Sequence, residues 1–377
     1  MKDLHNLEEN TVKVYIDTVN LTNFRNFTQK ELSLSPGLTA IIGHNGVGKT
    51  NLLEAISLAA PGRGLRGSKI EELENINSST YLKGFNISLN FIYKAVNYNF
   101  STAKLANSNK RIFTLNNNKL KKQTDIANYL NLLWLTPLYD SIFSASKTER
   151  RKFFDRIIFN LHPEHISNLQ KYDYYQRERI NIMLNYGIKA NWLDTIELKL
   201  AELNSAIAAT RVEIIKYLNN ELEALDAKYP KALLYFTDGF EKMYLDKIAP
   251  SEIEQEAQNL LYKNRNSDLH KKQTMVGIHK TDFSCFYLKK NINSIYCSTG
   301  EQKSLLASIF IALARLLSKI NGKTPILLLD EILSHLDKKN SLAFIEDLKI
   351  LNIQAIMTGT DKKFFNSIQD INIIELT

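Results

Sequence analysis

The stretch Ile41–Ile56, IIGHNGVGKTNLLEAI, decides the fold. Gly43, Gly48, Lys49 and Thr50 satisfy the pattern G-x-x-x-x-G-K-[ST]. The residues around them supply the context that separates a phosphate-binding loop from a chance match. Leu38 to Ile42 is a nearly continuous apolar run ending at Gly43, as a buried parallel strand would read. A helix starting near Lys49 places Leu52, Leu53, Ile56 and Leu58 on its apolar side. In a strand–loop–helix of this kind, Gly43, His44, Asn45, Gly46, Val47 and Gly48 wrap phosphates with backbone N–H groups, helped by the helix N-terminus. Lys49 is placed to reach the β- and γ-phosphates of a nucleotide such as ATP, and the Thr50 hydroxyl to ligate Mg2+.

A second motif follows some 280 residues later in PILLLDEILSHLD, Pro325 to Asp337. An apolar strand, Ile326 to Leu329, delivers Asp330 and Glu331 at its carboxyl end, where open α/β sheets bind ligands. Asp330 suits the Walker B role on Mg2+. Glu331 is placed to orient or deprotonate an attacking water. An acidic helix start after a strand is the alternative for this pair. Between the two motifs lies CSTGEQKSLLASIF, Cys297 to Phe310. Ser298 and Glu301 fit a capping box, with Ser at the N-cap and Glu three residues on. The same capped N-terminus with Gly300 can bind an anion such as a γ-phosphate, so both readings stand together. This segment resembles the signature motif of ABC-type ATPases, and Ser334 to Asp337 resembles their D-loop. The resemblance implies that Ser298, Gly300 and Glu301 contact ATP on an opposite subunit. In the loop Met357 to Asp361, where many ABC proteins place a histidine, Thr358 and Thr360 stand instead.

The chain has 377 residues, enough for two domains, and its 44% hydrophobic and 23% charged content is that of an ordinary globular protein. The N-terminus lacks an apolar h-region, and Leu305 to Leu317 is too short an apolar stretch to span a bilayer. Two cysteines give no disulfide framework. A soluble cytoplasmic protein without a membrane partner is the expectation. The net charge of +8 suits a polyanionic partner, or reflects a lysine-rich composition alone. Val12 to Leu34 reads as two short strands around a loop at Asn23 to Asn26. Phe85 to Phe100 and Arg111 to Leu115 read as an antiparallel meander turning at Asn116 to Asn118. From about Thr124 glycine almost vanishes and helix-favouring stretches such as Asn191 to Lys228 appear, broken at Pro137, Pro163 and Pro230. Gln354 to Met357 and Ile371 to Leu376 read as further strands. These readings give an α/β fold: an ABC-type P-loop ATPase head, with a mixed sheet and an antiparallel meander, and an inserted α-helical domain. The head is expected over 1–123 and 270–377, and the helical insertion over 124–269.

Several longer segments narrow the family. LTNFRNF (Leu21–Phe27), PGRGLR (Pro61–Arg66), ERRKFFD (Glu149–Asp155) and VGIHKTDF (Val276–Phe283) occur with the P-loop, signature and Walker B motifs in one order. Over most of its length the chain resembles the RecF family of bacterial DNA gap-repair proteins. It departs from the family's pattern in reading STGEQK in the signature and in placing Lys280 where arginine is usual. The resemblance implies ATP binding with Arg25 and Asn26 near the nucleotide, an ATP-dependent homodimer and weak, DNA-dependent ATP hydrolysis. It also implies binding to DNA at single-strand/double-strand gap junctions, and joint action with RecO and RecR in loading RecA during repair, replication and the SOS response. Arg63 and Arg66 are candidates to contact phosphate of nucleotide or DNA, or are solvated loop residues. Lys104, Lys110, Arg111, Lys119, Lys121 and Lys122 cluster around the meander. They form either a backbone-tracking DNA patch or a merely soluble face. The other readings are another SMC-like ATPase head, against which the short, proline-broken insertion argues, a transporter ATP-binding subunit, and a DNA-binding scaffold that does not hydrolyse its nucleotide.

Overall fold

The computed structural model describes residues 11–75, 84–106, 108, 110–226, 228–331 and 338–377, and every structural statement below concerns these. The chain opens with a hairpin, β1 (Tyr15–Phe24) and β2 (Phe27–Ser33). β3 (Leu38–Ile42) leads through the glycine-rich loop into α1 (Lys49–Ser57). Next come β4 (Gly84–Tyr93), β5 (Val96–Leu105), β6 (Arg111–Leu115), β7 (Asn118–Lys119) and β8 (Leu132–Leu135). A largely helical stretch follows: α2 (Lys147–Phe159), α3 (Glu164–Tyr186), α4 (Asn191–Glu223), β9 (Ala232–Phe236), α5 (Gly239–Leu245), α6 (Pro250–Lys263), α7 (Arg265–Lys271), β10 (Phe283–Tyr287), β11 (Ile292–Asn293) and α8 (Thr299–Asn321). The chain closes with β12 (Ile326–Asp330), α9 (Lys338–Ile350), β13 (Gln354–Gly359), α10 (Lys362–Asn366) and β14 (Ile371–Glu375).

The chain divides into two compact units, one of residues 1–140 with 313–377 and one of residues 141–312. The first holds two sheets. A parallel sheet runs in the order β14–β3–β13–β12–β8. Every residue of β3, β8, β12 and β13 is buried, which explains why these strands do not alternate: β8 and Ile326–Leu329 of β12 are wholly apolar, and the polar Thr39, Gln354 and Thr358 are buried with their apolar neighbours. An antiparallel sheet runs in the order β2–β1–β4–β5–β6–β7 and contains the expected meander. Its strands alternate: Ile87, Leu89 and Phe91 of β4 turn into a core shared with Ile41, Leu52, Ile56, Leu328 and Ile356. Burying each such side chain stabilises the unit by about 1.5–3 kcal/mol. The buried Gln354 ties the two sheets together. Its amide donates to the carbonyls of Ile16 and Ser35, each at 2.7 Å, and accepts from Ile16 N at 2.8 Å.

The second unit packs α4 against α3, α5 and α6 around Leu200, Ile207, Ala208, Phe240, Ile253 and Leu261. Two buried ionic networks cross it. Arg211 of α4 donates to both carboxylate oxygens of Asp155 at 2.8 Å and to Glu241 at 2.6 Å. Arg179 of α3 donates to Glu197 at 2.8 Å and Asp268 at 2.7 Å. Burial opposes ionisation of Asp155, but Arg211 and the hydrogen bond from His165 outweigh it and bring its pKa down to about 2.

Three features differ from the sequence expectation. Leu132–Leu135 is an edge strand of the parallel sheet, and Ala232–Phe236 is a strand paired with β10, although both lie in the segment expected to be helical. The unit boundaries also fall elsewhere. The sequence expectation puts residues 270–312 in the head, but β10 pairs with β9 and Phe283 stacks on Phe154 of α2, which binds this segment into the second unit. Finally, α8 spans 23 residues, ten more than its apolar middle. It alone among the described residues has the length and hydropathy to cross a membrane, and 67% of its most apolar window is buried within the protein.

Candidate functional site

The parallel sheet order puts β13 between β3 and β12. The carboxyl ends of these three strands therefore bring the P-loop, Thr358 and Asp330 to one place. Gly48 is the N-cap of α1 and has φ +110°. A Cβ there would lie 2.6 Å from the Asn26 amide nitrogen and 2.7 Å from the Phe27 ring, so only glycine fits. Lys49 is 4% exposed, and its ammonium donates to the carbonyls of Gly43 at 2.7 Å and His44 at 3.1 Å. It spans the loop from inside, where a phosphate would compete for the same charge. Beside the first half of the loop an open cavity of about 450 Å³ is lined by Gly43, His44, Asn45, Thr360, Lys362 and Glu375 among others.

The Thr50 hydroxyl lies 2.9 and 3.1 Å from the two oxygens of Asp330. Thr358 Oγ1 donates to Asp330 at 2.8 Å and accepts the Glu331 backbone N–H at 3.0 Å. A buried carboxylate facing a hydroxyl across hydrogen-bond distance is an oxygen donor set of the hard type that Mg2+ prefers, with room for water and phosphate oxygens to complete it. Glu331 has φ +55°, a left-handed conformation that turns the chain away from the strand at this residue. Its half-exposed carboxylate stands 3.8 Å from the Lys49 ammonium. Lys49, Asp330 and Glu331 thus meet at the same loop, the first two buried and Glu331 reaching solvent.

A further group of residues meets the loop from behind. Arg25 and Asn26 form the two-residue tip of the β1–β2 hairpin, with Phe24 paired to Phe27 across it and Arg25 at φ +52°. Asn26 donates to Val47 O at 3.0 Å and accepts from Asn51 at 2.8 Å. Arg25 does not reach toward the loop's interior. It donates to both oxygens of the fully buried Glu54 at 2.7 and 2.9 Å, and to Ser68 and the Glu72 carbonyl. Arg66 joins the same carboxylate at 3.1 Å and donates to Asn51 at 2.7 Å.

A P-loop and a Walker-type carboxylate joined across one parallel sheet, beside an antiparallel meander, form an ATPase-type head. A family model described as the RecF/RecN/SMC N terminal domain matches residues 15–376. The chain is 37% identical over 364 residues to the DNA replication and repair protein RecF of Rickettsia prowazekii (strain Madrid E), a match that spans 96% of this chain and 99% of the relative. The corresponding protein of Rickettsia typhi (strain ATCC VR-144 / Wilmington) is 36% identical over the same shares of both chains. The chain belongs to the RecF family. It is accordingly a DNA replication and repair protein with the ABC-type head of that family.

Solved structures agree on the fold. The recombination mediator protein RecF-ATP in the RecFOR pathway superposes with a TM-score of 0.84 at 23% identity, covering 97% of this chain and 96% of that one. An Smc head domain from Pyrococcus furiosus, with an extended coiled coil and bound to the C-terminal domain of ScpA, gives 0.52 at 16% identity, with 97% and 94% covered.

The RecF-like segments of the second unit explain one another. Arg150 of the ERRKFFD segment makes a two-pronged bond to Asp282 of VGIHKTDF, and Arg151 donates to Thr281 O at 2.7 Å. His279 lies against Tyr172, Gln176 and the Thr274 carbonyl, and burial pulls its pKa down to about 4. Ser298 caps α8 as expected. Its backbone N–H donates to Glu301 at 3.0 Å, and Glu301 also pairs with Lys290 at 2.5 Å. Gly300 is exposed, with open space around it. The segment Ser334–Asp337 lies outside the described residues.

The basic cluster separates into two kinds of residue. Lys110, Lys119, Lys121, Lys122 and Arg63 are exposed. Lys104 and Arg111 depart from the expected patch. Lys104 is buried on the inward face of β5 with Phe100 and Thr102, and pairs with Glu74. Arg111 lies over the Phe113 ring, donates to Gly62 O at 2.8 Å, and burial lowers its pKa to about 10. Period-two alternation from Phe100 is the sequence signal that marks Lys104 as inward. The roles of Glu54, Asn51 and the bond from Thr358 to Asp330 escape sequence reasoning, because their partners lie 12 to 29 residues away or on another strand.

Proposed function

We propose that this RecF-family chain is an ATP-gated DNA clamp that acts at single-strand/double-strand gap junctions. Gly43 to Lys49 hold the ATP phosphates through backbone N–H groups and the Lys49 ammonium. Thr50 and Asp330 hold Mg2+, which would supply charge neutralisation on the phosphate oxygens. Ser298, Gly300 and Glu301 of a second copy close over the γ-phosphate and make an ATP-dependent homodimer. Glu331 orients the attacking water and accepts its proton. Hydrolysis is weak and DNA-dependent, and serves to time the clamp: once the γ-phosphate is gone, nothing holds the second copy and it is released. The exposed lysines of the meander, with Arg63, contact DNA phosphates and so carry little base preference. RecO and RecR are the proposed partners in loading RecA during repair and the SOS response.

The convergence of Thr50 and Asp330 from positions 280 residues apart carries this reading. The test is the solution mass of Glu331→Gln by light scattering without nucleotide, with ADP and with ATP, each with and without a gapped duplex. The expected result is a mass that doubles only with ATP, together with tighter DNA binding. A monomer that binds the duplex equally in all three states would overturn the clamp.

A further inference from the structure

The P-loop is held from outside by a closed circuit of side chains. Val47 O accepts from Asn26, Asn26 accepts from Asn51, and Asn51 accepts from Arg66. Arg66 then donates to Glu54, and Glu54 accepts from Arg25, the chain neighbour of Asn26. Ser68 closes the remaining gap, donating to Glu54 at 2.9 Å while it accepts from Arg25 at 2.6 Å. Glu54 is the centre of this arrangement. It is 0% exposed and takes donors from Arg25, Arg66 and Ser68. Two guanidinium groups compensate its buried charge, so the carboxylate fixes both arginines and with them both asparagines.

The consequence lies in one peptide plane. The described residues include no cis peptide bond, and in a trans unit the C=O and the following N–H point to opposite sides. Asn26 holds the Val47 carbonyl toward the β1–β2 hairpin. The N–H of Gly48 is thereby turned to the side away from the hairpin, free of it to serve a phosphate oxygen. Gly48 has no Cβ to limit this rotation and sits at φ +110°, so its own stereochemistry does not select the orientation. The external brace selects it.

We propose that Glu54, acting through Arg25–Asn26 and Arg66–Asn51, is a positioning residue that presets the P-loop for phosphate. This inference rests on the nucleotide-binding reading above. It assigns Arg25 and Arg66 a role as braces between Glu54 and the loop. Preset donors need no reorganisation when the anion arrives, so the circuit acts on nucleotide affinity and not on the chemistry of turnover.

The test is a titration of the full-length protein with a fluorescent ribose-labelled ATP and Mg2+, using wild type, Asn51→Ala, Glu54→Gln and the double variant. Melting of each nucleotide-free protein is recorded alongside. Each single change is expected to raise the Kd for ATP about tenfold, the double change no further than the worse single one, as residues in one network behave. Asn51→Ala removes no charge from a half-buried position and keeps the test open if Glu54→Gln does not fold. A purely structural role for the circuit predicts lower melting temperatures with Kd within about twofold of wild type, and that result would overturn the proposal. Additive losses in the double variant would likewise overturn it by separating Asn51 from Glu54. Wild type that binds no ATP would instead sink the nucleotide reading itself.

Discussion

Thr358 Oγ1 donates a 2.8 Å hydrogen bond to Asp330 Oδ1 while accepting the Glu331 backbone N–H at 3.0 Å. One hydroxyl thus aims the carboxylate placed for Mg2+ and fixes the backbone of the residue placed for water activation. It does so from β13, the strand between the P-loop strand and the Walker strand. Thr358→Val keeps the shape and deletes both bonds. Removing a hydrogen bond to a charged group costs about 1.5–3 kcal/mol. The Mg2+ concentration needed for half-maximal ATP binding should therefore rise at least tenfold, with Thr358→Ser restoring most of it. A Thr358→Val protein with unchanged Mg2+ dependence would show that Asp330 needs no aiming.

The division of the basic cluster gives a second prediction. Lys119, Lys121 and Lys122 are exposed, whereas Lys104 is buried against Glu74. Each lysine–phosphate pairing removed should reduce the slope of log K against log salt by about 0.9 for duplex DNA. Replacing Lys119, Lys121 and Lys122 together by alanine should flatten that slope by two to three such steps. Lys104→Gln should leave the slope alone and instead lower the melting temperature, because it removes the cation that pairs with Glu74 on the inward face of β5. A salt slope that is the same for the triple variant and wild type would remove these lysines from the DNA surface.

How much of this is legible in the sequence depends on how local each signal is. The P-loop, the Walker strand and the Ser298–Glu301 cap are written in adjacent residues, and each is where its pattern places it. The hairpin around Asn23 to Asn26 and the turn at Asn116 to Asn118 are legible for the same reason. β8 is not, because Leu132–Leu135 is four apolar residues between helix-like segments, and so short a run fits helix or strand equally. Only its pairing with Leu327 and its neighbours on β12 makes it a strand. The brace on the P-loop is hidden for another reason. Asn26, Asn51, Glu54 and Arg66 are polar residues whose bonds close only once the hairpin, helix and following loop are folded together. No spacing rule within one element reports such a meeting.

The packing of His279 makes the second unit sensitive to acid. Its ring faces Tyr172, Gln176 and the Thr274 carbonyl, with Lys280, Arg151 and Arg211 among the charges acting on it. Burial, helped by these cations, outweighs the hydrogen bond to the Thr274 carbonyl and lowers its pKa from 6.5 to about 4. The unfolded chain protonates near the higher value and the folded chain resists. The stability present above pH 6.5 therefore declines as pH falls toward 4. Between about pH 7 and pH 5 the decline attributable to this ring is on the order of 2 kcal/mol. His279→Gln should lose less stability over that interval than wild type by about this amount, as read by urea unfolding at each pH. Parallel pH curves for the two proteins would show that the buried ring does not resist protonation.

Arg211 ties α4 to α2 and α5 through buried charge. It is 2% exposed and neutralises both Asp155 and Glu241, which are themselves buried, while its third partner is the Ile278 carbonyl at 2.9 Å. Burial alone would lower the arginine's pKa, yet the two carboxylates raise it above its ordinary value. Arg211→Met removes the guanidinium that Asp155 and Glu241 share and leaves His165 and Thr281 as their hydrogen-bond donors, a loss of buried counter-charge that costs about 3–5 kcal/mol. The urea midpoint of the unit should fall accordingly. Changing Asp155 and Glu241 to leucine and methionine in the same protein removes the stranded charges, and the stability should then recover most of the way. Arg211→Met with a wild-type midpoint would mean that solvent or a rearranged side chain reaches Asp155, and that this network does not hold the helices of the second unit together.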